Sequence, residues 1–70
     1  MLMLQIDVAL NDWIRLVRAE YSEFPGLHLT KPEMRRLWTL DEATCDSVVA
    51  TLESDGFLRR TPAGAYVRND

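Results

Sequence analysis

Apolar residues recur at helical spacing in the first third of the chain, and they lie on one stripe. The stripe consists of Leu10, Trp13, Ile14, Val17 and Tyr21. Arg15, Arg18 and Glu20 mostly lie off it, so the pattern predicts an amphipathic helix over residues 10–21, with Asp7 or Asn11 as its cap. Pro25 and Gly26 predict that this helix ends at about Phe24.

The residues before Leu10 fit two patterns. Leu2, Leu4, Ile6 and Val8 alternate as in a strand, whereas Leu2, Ile6 and Leu10 also fit a helix. We expect a helix extension or a loose arm over residues 1–9. This stretch holds more apolar surface than one helix needs, so Leu2, Leu4 and Ile6 are candidates for a homodimer or partner contact. The alternative is that they pack over the core of their own chain.

The middle of the chain predicts two helices joined by a turn. Residues 27–29 could form one brief strand, and Thr30 with Glu33 reads as a capping box that opens a short helix. We expect Met34, Leu37 and Trp38 of that helix to face inward. Thr39 and Leu40 then form a turn.

A longer helix follows the turn, and a hairpin follows that helix. Asp41 is a good N-cap, and the helix carries an apolar stripe of Cys45, Val48, Val49 and Leu52. Gly56 is predicted to close this helix in the left-handed conformation. Residues 57–60 and 65–68 are predicted strands, with turn formers over residues 61–64.

The order of these elements resembles the winged helix-turn-helix family of small bacterial transcription regulators. The residues that carry the resemblance are Leu29, Thr30, Glu33, Met34, Leu37, then Val48, Val49, Leu52, Gly56, Phe57, Leu58, and finally Gly64 and Tyr66. The resemblance spans residues 12–68 and implies an α+β fold of three helices, a short strand and a C-terminal hairpin, the wing. It also implies that residues 41–55 enter the major groove of DNA and that residues 59–68 contact the backbone or minor groove.

The helix after the turn departs from this family pattern, because residues 41–55 contain five acidic residues and no Lys or Arg. Thr44 and Ser47 are its candidates for facing bases. The candidate phosphate contacts lie on the flanking elements and are Lys31, Arg35, Arg36, Arg59, Arg60 and Arg68. Two functions follow: transcription regulation through DNA binding, or a protein-interaction module whose acidic helix and apolar N-terminus meet a basic partner. In either case, the cations could instead be solvated charges that pair with nearby acids.

Length, charge and cysteine content bear on the number of domains, on nucleic-acid binding and on the location of the protein. The chain has 70 residues and a net charge of −3, which indicates a single domain over residues 1–70 and argues against strong non-specific binding to nucleic acid. The sequence predicts neither a signal peptide nor a membrane span, and a lone cysteine fits the reducing cytoplasm.

Catalytic and metal chemistry have few candidates in this sequence. Cys45 lies on an apolar stripe and His28 alternates with leucines, so we expect both to be structural. One His and one Cys cannot supply the four ligands of a structural zinc site. We therefore expect no enzyme activity, no cofactor and no metal site.

Overall fold

Three helices and a two-stranded antiparallel hairpin make up the fold of the computed structural model, as the predicted α+β class requires. The structure describes the backbone of residues 2–69 and the side chains of residues 10–69. The elements are α1 (Leu2–Glu23), α2 (Lys31–Trp38), α3 (Glu42–Ser54), β1 (Leu58–Arg60) and β2 (Tyr66–Arg68).

Helix α1 is longer than the apolar stripe indicated. It spans 22 residues from Leu2 to Glu23, so the backbone of residues 2–9 is helical. The predicted capping by Asp7 or Asn11 is therefore wrong, because both residues lie inside the helix. The predicted end is confirmed: Phe24 still donates its N–H to the Glu20 carbonyl at 3.0 Å, and Pro25 follows outside the helix.

The capping box at the start of α2 is confirmed. The Thr30 hydroxyl accepts from the Glu33 amide at 3.3 Å, and the Glu33 carboxylate accepts from the Thr30 amide at 2.8 Å. These hydrogen bonds hold the pKa of Glu33 below its ordinary value, since they favour the ionised carboxylate.

Only part of the predicted inner face of α2 is correct. Met34 is 1% exposed, and Trp38 packs against the core one turn later. Leu37 is 58% exposed, so its predicted inward position is wrong. Positions four apart on a helix stack on the same face. A helix of two turns contacts the core through that narrow strip, and Leu37 falls beside it.

The turn between α2 and α3 depends on an unusual backbone conformation. Thr39 has φ 55° and ψ 47°, the left-handed region, and its amide donates to the Arg35 carbonyl. Leu40 also donates to the Arg35 carbonyl, at 2.9 Å, and its side chain is buried. Asp41 occupies the N-cap position of α3, as predicted, although its side chain makes no capping hydrogen bond.

The hairpin is shorter than predicted by one residue in each strand. Leu58 pairs with Arg68, Arg59 with Val67, and Arg60 with Tyr66. The predicted strand over residues 27–29 is reduced to a single bridge, in which Leu29 and Tyr66 exchange two backbone hydrogen bonds of 2.7 and 3.2 Å. Gly56 ends the α3 segment with φ 79°, as predicted.

The core lies where α1, α3 and the hairpin meet. Its buried side chains are Val17, Tyr21, Met34, Leu40, Cys45, Val48, Val49, Leu52, Leu58 and Tyr66. Tyr21 is 0% exposed and donates its hydroxyl hydrogen to the Tyr66 carbonyl at 2.7 Å. Burial raises the pKa of the Tyr21 phenol well above its ordinary value, because the phenolate would lose its hydration.

We expect Tyr21→Phe to lower the free energy of unfolding by about 1 kcal/mol at neutral pH, the usual net contribution of one buried hydrogen bond. Since the folded state raises the pKa of Tyr21, its linked stability is present below roughly pH 10 and is lost as pH rises further. Urea titrations between neutral pH and pH 11 would measure this difference. If the free energy of unfolding of Tyr21→Phe falls as steeply above pH 10 as that of the wild type, the pH dependence does not come from Tyr21.

We expect Thr39→Gly and Thr39→Asn to raise the free energy of unfolding by about 0.5–1 kcal/mol. Both residues adopt positive φ more readily than a β-branched residue does. Ala50→Gly is the matched control: it lies on the exposed side of α3 and should instead cost about 1 kcal/mol. Thermal melts of the three variants would test this, and destabilisation by both Thr39 substitutions would refute the strain at Thr39.

Candidate nucleic-acid interface

The exposed side of α3, here called the α3 outer face, consists of acidic residues and residues with small side chains. Its members are Glu42, Ala43, Asp46, Ser47, Ala50, Glu53 and Ser54. The apolar stripe of α3 fixes this orientation, since all four of its members are buried in the core. The α3 outer face therefore offers three carboxylates and no cation to a partner.

The two candidates for facing bases differ in exposure. Ser47 is exposed in the middle of the α3 outer face, whereas Thr44 is half-buried. A hydroxyl can donate to or accept from a base edge, and this versatility limits the sequence information that it reads. Ser47 is thus the more accessible of the two hydroxyls for a contact beyond the protein.

Lys31 faces α3 and forms an ion pair with it. Its Nζ lies 3.0 Å from Asp46 Oδ1, and both side chains are close to half exposed. The hydrogen bond to Asp46 raises the pKa of Lys31. The predicted phosphate contact at Lys31 is thus already occupied by a carboxylate.

The arginines of α2 and β1 lie on either side of α3 in the chain, and all four are exposed. They are Arg35, Arg36, Arg59 and Arg60. Among residues 10–69, the salt bridges are Arg18–Asp55 and Lys31–Asp46, and none involves these four arginines. Four of the six predicted phosphate contacts are therefore cations without an ion pair in the described part of the chain.

Arg59 and Arg60 point to opposite faces of the hairpin. Successive side chains alternate along a strand, and directly paired residues share a face. Arg60 is paired with the buried Tyr66 and therefore shares the inner side, at the edge of the core. Arg59 is paired with Val67 on the outer side. A ligand that touches both arginines must reach around the edge of the hairpin.

Arg68 lies in a cluster at the base of the hairpin, together with Arg18 of α1. The guanidinium carbons of Arg18 and Arg68 lie 5.0 and 6.0 Å from the centre of the Phe57 ring. Arg18 also donates to Asp55 at 3.1 Å. Stacking of this kind is a cation–π contact. Arg68 therefore has a structural contact in the fold, beside the phosphate contact predicted for it.

The sequence did not predict the contacts of Arg18 with Asp55 and Phe57. Arg18 lies 37 residues before Asp55, and no local periodicity links them. The available signal was that Arg18 follows Val17 on α1, beside the apolar stripe, while Asp55 and Phe57 flank the glycine that ends α3.

The remaining reactive candidates have ordinary surroundings. The Cys45 thiol is buried and lies 3.8 Å from the Lys31 carbonyl oxygen, and burial raises its pKa. A raised pKa means little thiolate at neutral pH and hence low nucleophilicity. His28 is exposed. Within residues 10–69, no three His, Cys, Asp or Glu side chains are grouped so that they could hold a metal ion.

The candidate interface at Leu2, Leu4 and Ile6 lies outside the described side chains, and only the helical backbone there is known. In the part of the chain that the structure describes, no helix has the length and hydropathy of a membrane-crossing segment. Comparisons with protein-family models, with curated proteins and with solved structures returned no match to this chain.

Proposed function

We propose that this chain is a small cytoplasmic winged-helix protein that binds double-stranded DNA and regulates transcription. The observation that carries the proposal is the group of four exposed arginines without ion pairs on α2 and β1. In a winged helix, these two elements flank the helix that approaches the groove. Guanidinium groups suit phosphate because they donate two parallel hydrogen bonds.

The number of cations that can contact phosphates sets the expected salt dependence of binding. Each neutralised phosphate contributes about −0.9 to the slope of log affinity against log salt, so four contacts predict a slope of about −3.6. Such a slope corresponds to a loss of about 150-fold in affinity between 50 and 200 mM salt. We therefore expect measurable binding at low salt that becomes weak at physiological salt.

In this proposal, the acidic α3 outer face limits how well the protein recognises a particular DNA sequence. Carboxylates are repelled by phosphates, although Glu and Asp can accept a hydrogen bond from cytosine. Ser47 is the most accessible hydroxyl near the middle of this face. We accordingly propose that backbone contacts provide most of the affinity and that direct base contacts are few.

A second candidate function is protein interaction, and the α3 outer face is the specific observation that favours it. Glu42, Asp46 and Glu53 present three carboxylates along one side of a rigid helix. This charge would complement a basic protein partner and increase the rate of encounter. The apolar stretch around Leu2, Leu4 and Ile6 would provide a further contact, either with that partner or with a second copy of the chain.

We expect Arg60→Glu to weaken binding to a labelled mixed-sequence duplex and to reduce the magnitude of the salt slope by about 0.9. Arg35→Glu should do the same from the other flank. Arg15→Glu is the matched control, because Arg15 is an exposed arginine on α1, outside the proposed surface, and its reversal changes net charge equally. Fluorescence anisotropy over a salt series would give all three slopes.

Equal effects of Arg15→Glu and Arg60→Glu would reduce the interaction to net charge and overturn the proposed surface. An absence of wild-type binding even at low salt would reject DNA and favour the protein-interaction candidate. That candidate then predicts binding to a basic polypeptide such as polylysine, weakened by combined Glu42→Gln and Glu53→Gln substitutions.

We expect combined Leu2→Gln, Leu4→Gln and Ile6→Gln substitutions to convert a self-associating chain into a monomer, because they remove apolar surface that a dimer would bury. Sedimentation equilibrium over a concentration series would measure the effect. A wild-type chain that remains monomeric throughout would exclude the homodimer, and retained helicity of the variant would show that only association had changed.

A further inference from the structure

We propose that Asp46 restrains the DNA-binding surface by occupying the ammonium group of Lys31, a role that rests on the proposed function. When a phosphate displaces this carboxylate, Lys31 becomes a fifth cationic contact. Asp46 then determines how strongly the chain binds DNA and how steeply binding depends on salt.

The geometry of the ion pair places it on the proposed surface. Lys31 is the first residue of α2, and Asp46 belongs to the α3 outer face. The two charged atoms are 3.0 Å apart, and the pair joins the two helices that surround the turn. A lysine in this position reaches across to the side of α3 that would approach a groove.

Two local contacts restrain the backbone from which the Lys31 side chain extends. The carbonyl oxygen of Lys31 lies 3.8 Å from the buried thiol of Cys45, the residue immediately before Asp46. The capping box at Thr30 holds the preceding residue. The backbone of Lys31 therefore cannot move far from α3, and only its flexible side chain has to change partner.

A phosphate can compete with Asp46 because it provides the same kind of acceptor. Carboxylate and phosphate both offer anionic oxygens to an ammonium donor. The side chains of Lys31 and Asp46 are 40% and 51% exposed, so solvent reaches both and the pair can exchange. The Arg18–Asp55 pair differs, because stacking on Phe57 also holds Arg18 in place.

The chain offers a matched control for Asp46. Glu53 lies seven residues later, two turns along the same side of α3, and is also exposed. No salt bridge of the described residues involves Glu53. Asp46→Asn and Glu53→Gln each remove one negative charge from the α3 outer face, but only the first frees a lysine.

The experiment measures the affinity for a labelled mixed-sequence duplex over a salt series for six proteins. They are the wild type, Asp46→Asn, Glu53→Gln, and each of these three combined with Lys31→Gln. We expect Asp46→Asn to steepen the salt slope by about 0.9, equivalent to an additional loss of about 3.5-fold between 50 and 200 mM salt. Glu53→Gln should leave the slope unchanged. Lys31→Gln should abolish the gain in the Asp46→Asn background and have a smaller effect in the other two, in which Asp46 competes with phosphate for the Lys31 ammonium. Thermal melts would confirm that all six proteins are folded.

The outcomes separate this inference from the function on which it rests. Equal slopes for Asp46→Asn and Glu53→Gln, with wild-type binding intact, would overturn the role of Asp46 alone. An absence of binding by all six proteins would reject the proposed function and the inference together. Binding by Asp46→Asn when neither the wild type nor Glu53→Gln binds would support the role of Asp46 at Lys31 but would reject DNA binding as the function of the wild-type chain.

Discussion

The hydrogen bond from the Tyr21 hydroxyl to the Tyr66 carbonyl joins the hairpin to α1. The hairpin is the part of this fold that is least able to form by itself. The two strands are three residues long, and an isolated hairpin of this kind is marginal in water. Tyr66 contacts α1 through this bond, contacts Leu29 through the bridge, and pairs with Arg60 in β1. The position of the hairpin, and of the arginines on it, therefore depends on a buried tyrosine of α1.

Within residues 10–69, the cations on α1, α2 and β1 fall into two sets, those that form ion pairs with acids and those that do not. Two cations, Lys31 and Arg18, pair with acids of α3 or its end, and these pairs connect helices. The arginines of α2 and β1 have no such partner in the described part of the chain, although acidic residues outnumber basic ones overall. A net charge of −3 thus coexists with four exposed arginines that form no ion pair in the described part of the chain, and net charge alone is a poor guide to the ligand.

Local signals predicted the fold well because they depend on neighbours in the sequence. The capping box at Thr30, the stripe of α3 and the glycine at position 56 are all short-range features. Two discrepancies arose where tertiary contacts decide the outcome. Leu37 fits an inward helical position, but the core touches α2 along a narrower strip. The Lys31–Asp46 pair was foreseen only as a general tendency of charges to pair, since its geometry depends on how two helices pack.

The sequence separation of the Tyr21–Tyr66 contact has a consequence for folding during synthesis. The two residues are 45 positions apart, and β2 completes the core that α1 begins. Closing so long a loop costs conformational entropy that the earlier helices cannot offset alone, because part of their apolar surface is still uncovered. A nascent chain therefore cannot reach this native core until residue 66 has left the ribosome. Until then, the part of the apolar surface of α1 and α3 that the hairpin covers remains open to association with other chains.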